Sequence, residues 1–365
     1  MTKYFDIKTS IYLDLLRFLC AFIVLVMHSF QVIYKMDFGN HYISHIAHGA
    51  VIVFFVLSGY VIAFTTTVKK RTMAEYVVAR LSRLYSIFFP AIIVTIICAV
   101  ITKIINPSFY ELYDNGNAIF RYFLGLFYLN EIWFLSAAPR INGVIWSLSF
   151  EFWFYVIFGA LYFKTKGLKG WILPFLICFF AGPKILLMMV IWFFGFLAYR
   201  LPKVAISNSF SWFLVFVFLV LSIFSMIFFS GIPYDLVRYP LIWASQFLTD
   251  YIVGFFIAIS VWFLPLTKNK VKGSQRVLKV QEKIRTIGDL TFPIYVLHLP
   301  LLVVLKSIMP EWVNLNLQFF IIVSSTFLIC SFFGMYLESK KKWWTDFFYM
   351  YVIQIRNKYN KIRIV

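Results

Sequence analysis

Long apolar runs separated by short polar stretches form the dominant pattern along the chain. A helix needs roughly 20 mostly apolar residues to cross a bilayer, whereas a transmembrane β-strand alternates apolar and polar residues over about ten positions. The runs here are continuous. The pattern therefore predicts an all-α integral membrane protein with about ten transmembrane helices. The predicted spans are 11–33, 47–67, 85–104, 144–163, 168–182, 185–200, 210–230, 246–264, 289–307 and 316–337.

Two segments allow other topologies, and the placement of basic residues favours one of them. The segment 118–137 is apolar but interrupted by polar residues, and 168–182 and 185–200 are short for two spans. With ten spans and a cytoplasmic N-terminus, 26 Lys and Arg residues fall on the cytoplasmic side and seven on the other. That bias is the one expected of membrane proteins. We therefore expect both termini to be cytoplasmic and 118–137 to lie on, or dip into, the outer membrane surface.

Composition supports the membrane class. The chain is 62% hydrophobic and 13% charged, against about 45–50% and about 25% in soluble domains. A net charge of +19 would indicate nucleic acid in a soluble protein. Here the basic residues flank the spans, so no nucleic-acid partner is expected, and the basic segment 268–285 is interpreted as a cytoplasmic loop. The four cysteines lie in apolar runs without ligand-like spacing, so neither disulfides nor a metal site is expected.

Ionisable side chains inside predicted spans are the first candidates for function, because they are costly in lipid. Arg17 and His28 are eleven residues apart, which places them on one helix face, about 16 Å apart along the axis. Asp14 precedes Arg17 by three residues and is expected to pair with it. The alternative is that Asp14 and Arg17 only anchor the helix end while His28 bonds a neighbouring carbonyl.

The predicted topology places Glu151 and His28 at similar depth, roughly 7–10 Å below the outer ends of their helices. A carboxylate beside an imidazole can form an oriented general base. A purely structural pairing of the two side chains is the alternative interpretation.

Other polar residues in or beside the spans are weaker candidates. His298 falls in mid-span and is either a site residue or a packing histidine with satisfied hydrogen bonds. Ser58 precedes Gly59, a small residue that favours close helix approach. Arg80 and Arg83 place two guanidiniums on one face, which suits phosphates. Taken alone, ordinary anchoring at the cytoplasmic surface explains these two arginines better.

Together these residues follow the order of motifs in the acyltransferase-3 family of membrane enzymes, which the chain resembles. Two positions depart from the family pattern: Leu15 stands where Gly is common, and Ser86 where a Pro often follows. Neither departure removes an ionisable group. The motifs are Arg17 and His28 with the preceding Asp14, the stretch 48–60, Arg80 with Arg83, the run from Trp146 to Tyr155 with Ser149 and Glu151, and Tyr295 with His298.

The resemblance implies a standalone acyltransferase domain at 1–337 and a short basic cytoplasmic tail at 338–365. It implies transfer of an acetyl or larger acyl group from cytoplasmic acyl-CoA to a hydroxyl of a cell-surface polysaccharide or its lipid-linked precursor. Lipopolysaccharide and exopolysaccharide are acceptors of this kind. The expected location is the bacterial inner (plasma) membrane. Acetyl-CoA would be a co-substrate, with membrane lipid and glycan as partners and with neither a resident cofactor nor a metal.

The same resemblance implies roles for individual residues. His28 would take the acceptor proton or carry the acetyl group, with Glu151 orienting it. Arg17, Arg80 and Arg83 would bind acyl-CoA. Supporting or cavity-lining roles are implied for Asp14, Ser58, Trp146, Ser149, Tyr155, Tyr295 and His298.

A polytopic transporter or flippase of a glycan or small polar solute is the competing interpretation, because intramembrane Arg, Glu and His also line solute pathways. The sequence has no evident inverted repeat or matched pair of broken helices, which secondary transporters often show. The enzyme is therefore favoured. Acyl-CoA-dependent acetylation of a glycan distinguishes the two.

Overall fold

The computed structural model describes residues 4–35, 41–113, 116–229, 241–267 and 275–362. Helices dominate this part of the chain, with one antiparallel pair of short strands, in which Tyr4 lies opposite Thr267. The strands are β1 (Tyr4–Phe5) and β2 (Leu266–Thr267), and the helices are α1 (Ile7–Tyr34), α2 (His41–Lys69), α3 (Met73–Ile105), α4 (Pro107–Glu111), α5 (Ala118–Leu126), α6 (Ile145–Tyr162), α7 (Ile172–Ala181), α8 (Pro183–Arg200), α9 (Asn208–Phe228), α10 (Phe247–Trp262), α11 (Gln275–Asp289), α12 (Thr291–Ile308), α13 (Leu315–Ser339) and α14 (Lys341–Ile362). Single turns of 3₁₀ helix lie at Arg140–Asn142, Leu168–Trp171 and Ile242–Ala244.

The apolar helices lie where the hydrophobic pattern predicts them. Within the described residues, eight helical segments are long and apolar enough to cross a bilayer: α1, α2, α3, α6, α8, α9, α13 and the continuous α11–α12 segment. Two shorter apolar helices, Leu168–Ala181 and α10, occupy the remaining predicted positions. Many large apolar side chains of α9 and α13 face outward, as expected of surfaces in contact with lipid. The prediction of an all-α polytopic membrane protein is confirmed.

The short pair 168–182 and 185–200 forms two helices with a turn between them, as predicted. Gly182 joins α7 to α8 with a φ of 88°, a conformation that glycine adopts without steric strain. A Cβ at this position would lie 2.5 Å from the Trp133 Cα. The turn is therefore specific to glycine and touches the outer segment that precedes α6.

The segment 118–137 is not an eleventh span. It forms the nine-residue α5 and then an irregular stretch in which Glu131 is fully buried. Lys184 of α8, also fully buried, places its Nζ 2.5 Å from the Glu131 carboxylate and donates to the Leu135 carbonyl (2.5 Å) and to Ser136 Oγ (2.9 Å). This ion pair holds the outer segment against α8, because removing one partner would leave a buried charge uncompensated.

Helices α2 and α8 touch along their backbones. A Cβ on Gly59 would lie 2.0 Å from the Trp192 carbonyl oxygen, and a Cβ on Gly195 would lie 1.8 Å from the Val56 carbonyl oxygen. Small residues permit such approach between membrane helices. The close contact predicted beside Ser58 is therefore confirmed.

The basic segment 268–285 is not simply a loop. Residues 268–274 lie outside the described part, and the remainder belongs to α11, which runs almost directly into α12. Helix α11 lies against α1 so closely that a Cβ on Gly288 would be 2.9 Å from the Asp14 Cβ. The expectation of a loop was wrong for residues 275–285, which are helical. The many charged residues of this segment led to its interpretation as a loop.

The predicted tail at 338–365 contains α14. This helix lies against α3, with the rings of Trp344 and Phe89 5.8 Å apart and those of Phe348 and Tyr85 5.6 Å apart. Aromatic residues mixed with basic ones are typical of a helix lying at a membrane interface, and the net charge alone did not reveal it.

Candidate active site

A cavity opens between α1, α2, α3, α6 and α12, with the junction of α13 and α14 also in its wall. It encloses about 950 Å³ of empty space, including the open solvent at its mouth. Its lining extends from Arg17 and Lys341, at the predicted cytoplasmic side, to Ser147 in the opposite half. Lys341 Nζ lies 2.9 Å from the carboxylate of Glu338, another lining residue. The cavity thus crosses much of the predicted membrane thickness.

Three arginines line the cavity near its predicted cytoplasmic end. Arg80 and Arg83 follow the start of α3, which is capped by Thr72, and their spacing places both on one helix face. Arg17 comes from α1, and its Nη1 lies 3.7 Å from Asp14 Oδ1. The ion pair predicted for Asp14 and Arg17 is present.

Arg80 and Arg83 have no carboxylate in direct contact. Neither guanidinium forms a hydrogen bond or an ion pair with another described residue, and Arg80 Nε is buried without a partner. The Arg80 guanidinium instead lies 5.6 Å from the centre of the Tyr155 ring. Asp289 lines the same cavity but is not within ion-pair distance of either. An anionic ligand would supply the partner that these two guanidiniums lack.

Glu151 is held in the cavity wall by hydroxyl groups. Its Oε1 accepts hydrogen bonds from Ser58 Oγ at 3.0 Å and from the Tyr155 hydroxyl. Trp192 Nε1 in turn donates to Ser58 Oγ at 3.2 Å. Side chains of α2 and α6 therefore bond one carboxylate oxygen directly, α8 supports Ser58 from behind, and this network fixes the orientation of the carboxylate.

His28 and His298 form a hydrogen-bonded pair. His28 Nδ1 lies 2.9 Å from His298 Nε2, and His298 Nδ1 lies 2.9 Å from the Ile294 carbonyl oxygen. A carbonyl only accepts, so His298 Nδ1 carries the proton and, in the neutral ring, Nε2 accepts from His28 Nδ1. This order leaves the lone pair of His28 on Nε2, the form required of a base or nucleophile.

The expected contact between Glu151 and His28 is not present, since each has other partners. Equal depth was inferred from topology, but depth does not determine how α6 is rotated relative to α1. His28 also lies outside the lining of the cavity. Tyr295 lines it, bonds to Ser147 Oγ at 2.6 Å, and has its ring 6.2 Å from that of His298. The histidine pair therefore lies behind Tyr295.

Four predicted supporting residues lie outside the cavity lining: Asp14, Trp146, Ser149 and His298. Ser149 Oγ donates to the Tyr128 carbonyl at 2.7 Å, so it anchors the outer segment. The Trp146 ring lies parallel to those of His48 and Trp243 instead. Residues of one motif face different parts of the protein because each residue along a helix is rotated by about 100° from the one before it.

Asp250 was missed in the sequence. Its Oδ2 lies 3.0 Å from His48 Nε2. It is an ionisable residue inside the predicted span 246–264, so the rule that such residues mark function would have found it. Across the ranges that the structure describes, no group of three His, Cys, Asp or Glu side chains is arranged to hold a metal ion.

The described residues thus form a polytopic helical membrane protein around a cavity lined by charged side chains, with a histidine pair beside it. The family model described as an acyltransferase domain matches residues 10–335, and the chain belongs to the acyltransferase-3 family. It is therefore a membrane acyltransferase. The match extends over all the predicted site residues, from Asp14 to His298. Comparisons with curated proteins and with solved structures found no match.

Proposed function

We propose that the protein transfers an acetyl group from cytoplasmic acetyl-CoA to a hydroxyl of a cell-surface polysaccharide, or of its lipid-linked precursor, at a bacterial plasma membrane. The observation that carries this proposal is that Arg80 and Arg83 line the cavity without a carboxylate partner. Guanidiniums bind phosphate oxygens in a forked geometry. An unpaired cation in a membrane protein is costly, and the phosphates of CoA would offset that cost.

The lining of the cavity extends from the arginines to Glu151 and Ser147, which suits a long, thin donor. Phosphates at Arg80 and Arg83 leave the long, thin pantetheine arm to extend past Arg17 toward Glu151 and Ser147. The thioester then lies in the outer half of the membrane while the nucleotide stays at the cytoplasmic side. The acetyl group crosses without passage of CoA.

His28 is the proposed base. The acceptor hydroxyl gives its proton to His28 Nε2, its oxygen attacks the thioester carbonyl, the C–S bond breaks, and the CoA thiolate takes the proton. General base catalysis of this kind contributes about 10²–10⁴-fold. An acetyl-histidine intermediate on the same nitrogen is the alternative order of events. Because Tyr295 separates the cavity from the histidine pair, we expect its side chain to move during turnover.

Glu151 has a positioning role in this proposal. Its carboxylate bonds the Tyr155 hydroxyl, and the Tyr155 ring lies under the Arg80 guanidinium. The charge of Glu151 thereby fixes the aromatic surface on which one of the phosphate-binding arginines rests.

Transfer of labelled acetyl from acetyl-CoA to extracted surface glycan, with the purified protein in vesicles, tests the proposal. Wild type should label the glycan, His28→Ala should not, and Arg83→Ala should raise the acetyl-CoA KM at least tenfold. Arg140→Ala, at an exposed outer arginine, is the control and should match wild type. If wild type neither labels any glycan nor hydrolyses acetyl-CoA, the proposed donor is wrong.

A further inference from the structure

The pair of His48 and Asp250 has no part in the proposed mechanism. His48 lies toward the start of α2 and Asp250 toward the start of α10, both at the predicted outer side. The two side chains are 12% and 2% exposed, with 3.0 Å between Nε2 and Oδ2. A carboxylate buried this deeply in a membrane helix is costly and indicates a functional role.

The hydrogen bond to Asp250 determines which nitrogen of His48 is free to bind something else. The carboxylate accepts the proton of Nε2–H, so the neutral ring keeps its lone pair on Nδ1. Nδ1 makes no hydrogen bond to any residue within the described ranges. Asp250 therefore orients an acceptor that suits a hydroxyl donor.

Flat aromatic rings lie beside this histidine. The Trp146 ring is 5.5 Å from His48 at an interplanar angle of 9°, and 5.1 Å from Trp243 at 6°. Trp146 is 5% exposed, whereas Trp243 is half-buried. Next to it, Ile242 has a φ of 46°, a strained conformation for a β-branched residue that positions the Trp243 side chain.

This cluster adjoins the cavity through one layer of side chains. Phe55 lines the cavity and meets the Trp146 ring edge-on, at 6.2 Å and 87°. Ser147, next to Trp146 in the chain, also lines the cavity. The cluster thus lies at the outer end of the compartment whose other end carries the arginines.

We infer that His48, Asp250 and Trp243 form the subsite for the acceptor, a sugar ring with free hydroxyls. The inference rests on the proposed acetyl transfer and names where the second substrate binds. One apolar C–H face of the sugar packs on Trp243, as ligands pack on aromatic walls of binding sites. One hydroxyl donates to His48 Nδ1. Donor and acceptor then approach from opposite sides of the membrane.

Kinetics of the full-length protein in vesicles test this subsite. Labelled acetyl-CoA is the donor, and extracted surface glycan is offered both free and as its lipid-linked precursor. Trp243→Leu and Asp250→Asn should each raise the KM for the acceptor at least tenfold while the acetyl-CoA KM stays within twofold. Trp243→Phe, which keeps a flat ring, should recover most of the affinity. Trp312→Leu, at a tryptophan 86% exposed in the loop after α12, should behave as wild type.

The outcomes separate this inference from the proposed function. Unchanged acceptor KM in Trp243→Leu and Asp250→Asn, with wild type active, overturns the subsite and leaves the acetyltransferase intact. No transfer by wild type overturns the proposed function first. If Trp243→Leu also loses acetyl-CoA binding, Asp250→Asn decides: a raised acceptor KM with a wild-type acetyl-CoA KM supports the subsite, and wild-type values for both refute it. A raised KM with only one form of the glycan identifies which form binds.

Discussion

Replacing His298 tests whether this residue determines the reactive nitrogen of His28. In the structure, His298 receives the His28 Nδ1 proton at 2.9 Å and is itself held by the Ile294 carbonyl. His298→Leu fills the buried position without an acceptor, so His28 is free to change tautomer and rotate. His298→Gln keeps an amide oxygen that can reach the same proton.

The expected loss follows from the hydrogen bond that is removed. Losing it costs about 0.5–1.5 kcal/mol net, and a buried N–H left without a partner costs about 1–3 kcal/mol. If this cost destabilises the His28 tautomer that carries its lone pair on Nε2, kcat drops about 10- to 100-fold, since about 1.36 kcal/mol corresponds to a tenfold change in rate. Loss of the base in His28→Ala should be larger, about 10²–10⁴-fold. From highest to lowest, the predicted order of kcat is wild type, His298→Gln, His298→Leu, then His28→Ala.

Initial rates of labelled acetyl transfer at saturating acetyl-CoA measure this order. The acetyl-CoA KM should not change in any of the three variants, because Arg80 and Arg83 are untouched. Wild-type kcat in His298→Leu would refute the reasoning. Equal losses in the Gln and Leu variants, together with a raised acetyl-CoA KM, would show that His298 only packs.

Lys184→Met should destabilise the protein by about 3–5 kcal/mol, because the Glu131 carboxylate stays buried without its cationic partner. Thermal unfolding in detergent measures this, with exposed Lys166→Met as the control. Burial raises the pKa of Glu131 to about 7, and loss of Lys184 raises it further. The free energy of unfolding of Lys184→Met should therefore fall as the pH increases from about 6 to about 9, because the folded state binds the Glu131 proton more tightly than the unfolded state does. A stability that does not change with pH contradicts this. Gly195→Ala should lower the free energy of unfolding by more than about 1–3 kcal/mol, because the added Cβ would meet the α2 backbone. Gly143→Ala is the control: its Cβ would lie 3.8 Å from the nearest atom, so the melting temperature should not change.

Span positions were predictable because lipid imposes a length and a polarity that can be counted along the chain. The Gly59 contact was predictable for a related reason, since small residues within spans are enriched where two membrane helices meet. The outer segment 118–137 was correctly excluded as a span by charge. The buried ion pair between Glu131 of this segment and Lys184 of α8 could not be predicted, because the sequence does not show which helix lies beside the segment.

The partners within the site were less predictable. His28 and His298 are 270 residues apart, and His48 and Asp250 are 202 apart. Periodicity places each of them on a helix face but not opposite a particular neighbour. Helix rotation depends on packing of the whole bundle, which is why Glu151 was assigned to His28 when it bonds Ser58. Charge density likewise concealed α14, whose aromatic face becomes evident only against α3.

Backbone contact at Gly59 and Gly195 leaves α2 and α8 no room to slide past each other. Ser58 belongs to that fixed side of the cavity, held by the Trp192 indole of the other helix. Across the cavity, α12 contains Pro300 in its interior, where the missing backbone N–H weakens the helix and provides a natural hinge. We therefore expect α12 to be the helix that moves when the cavity opens to admit substrate. A covalent crosslink between α2 and α8 should leave turnover intact, and one between α2 and α12 should stop it.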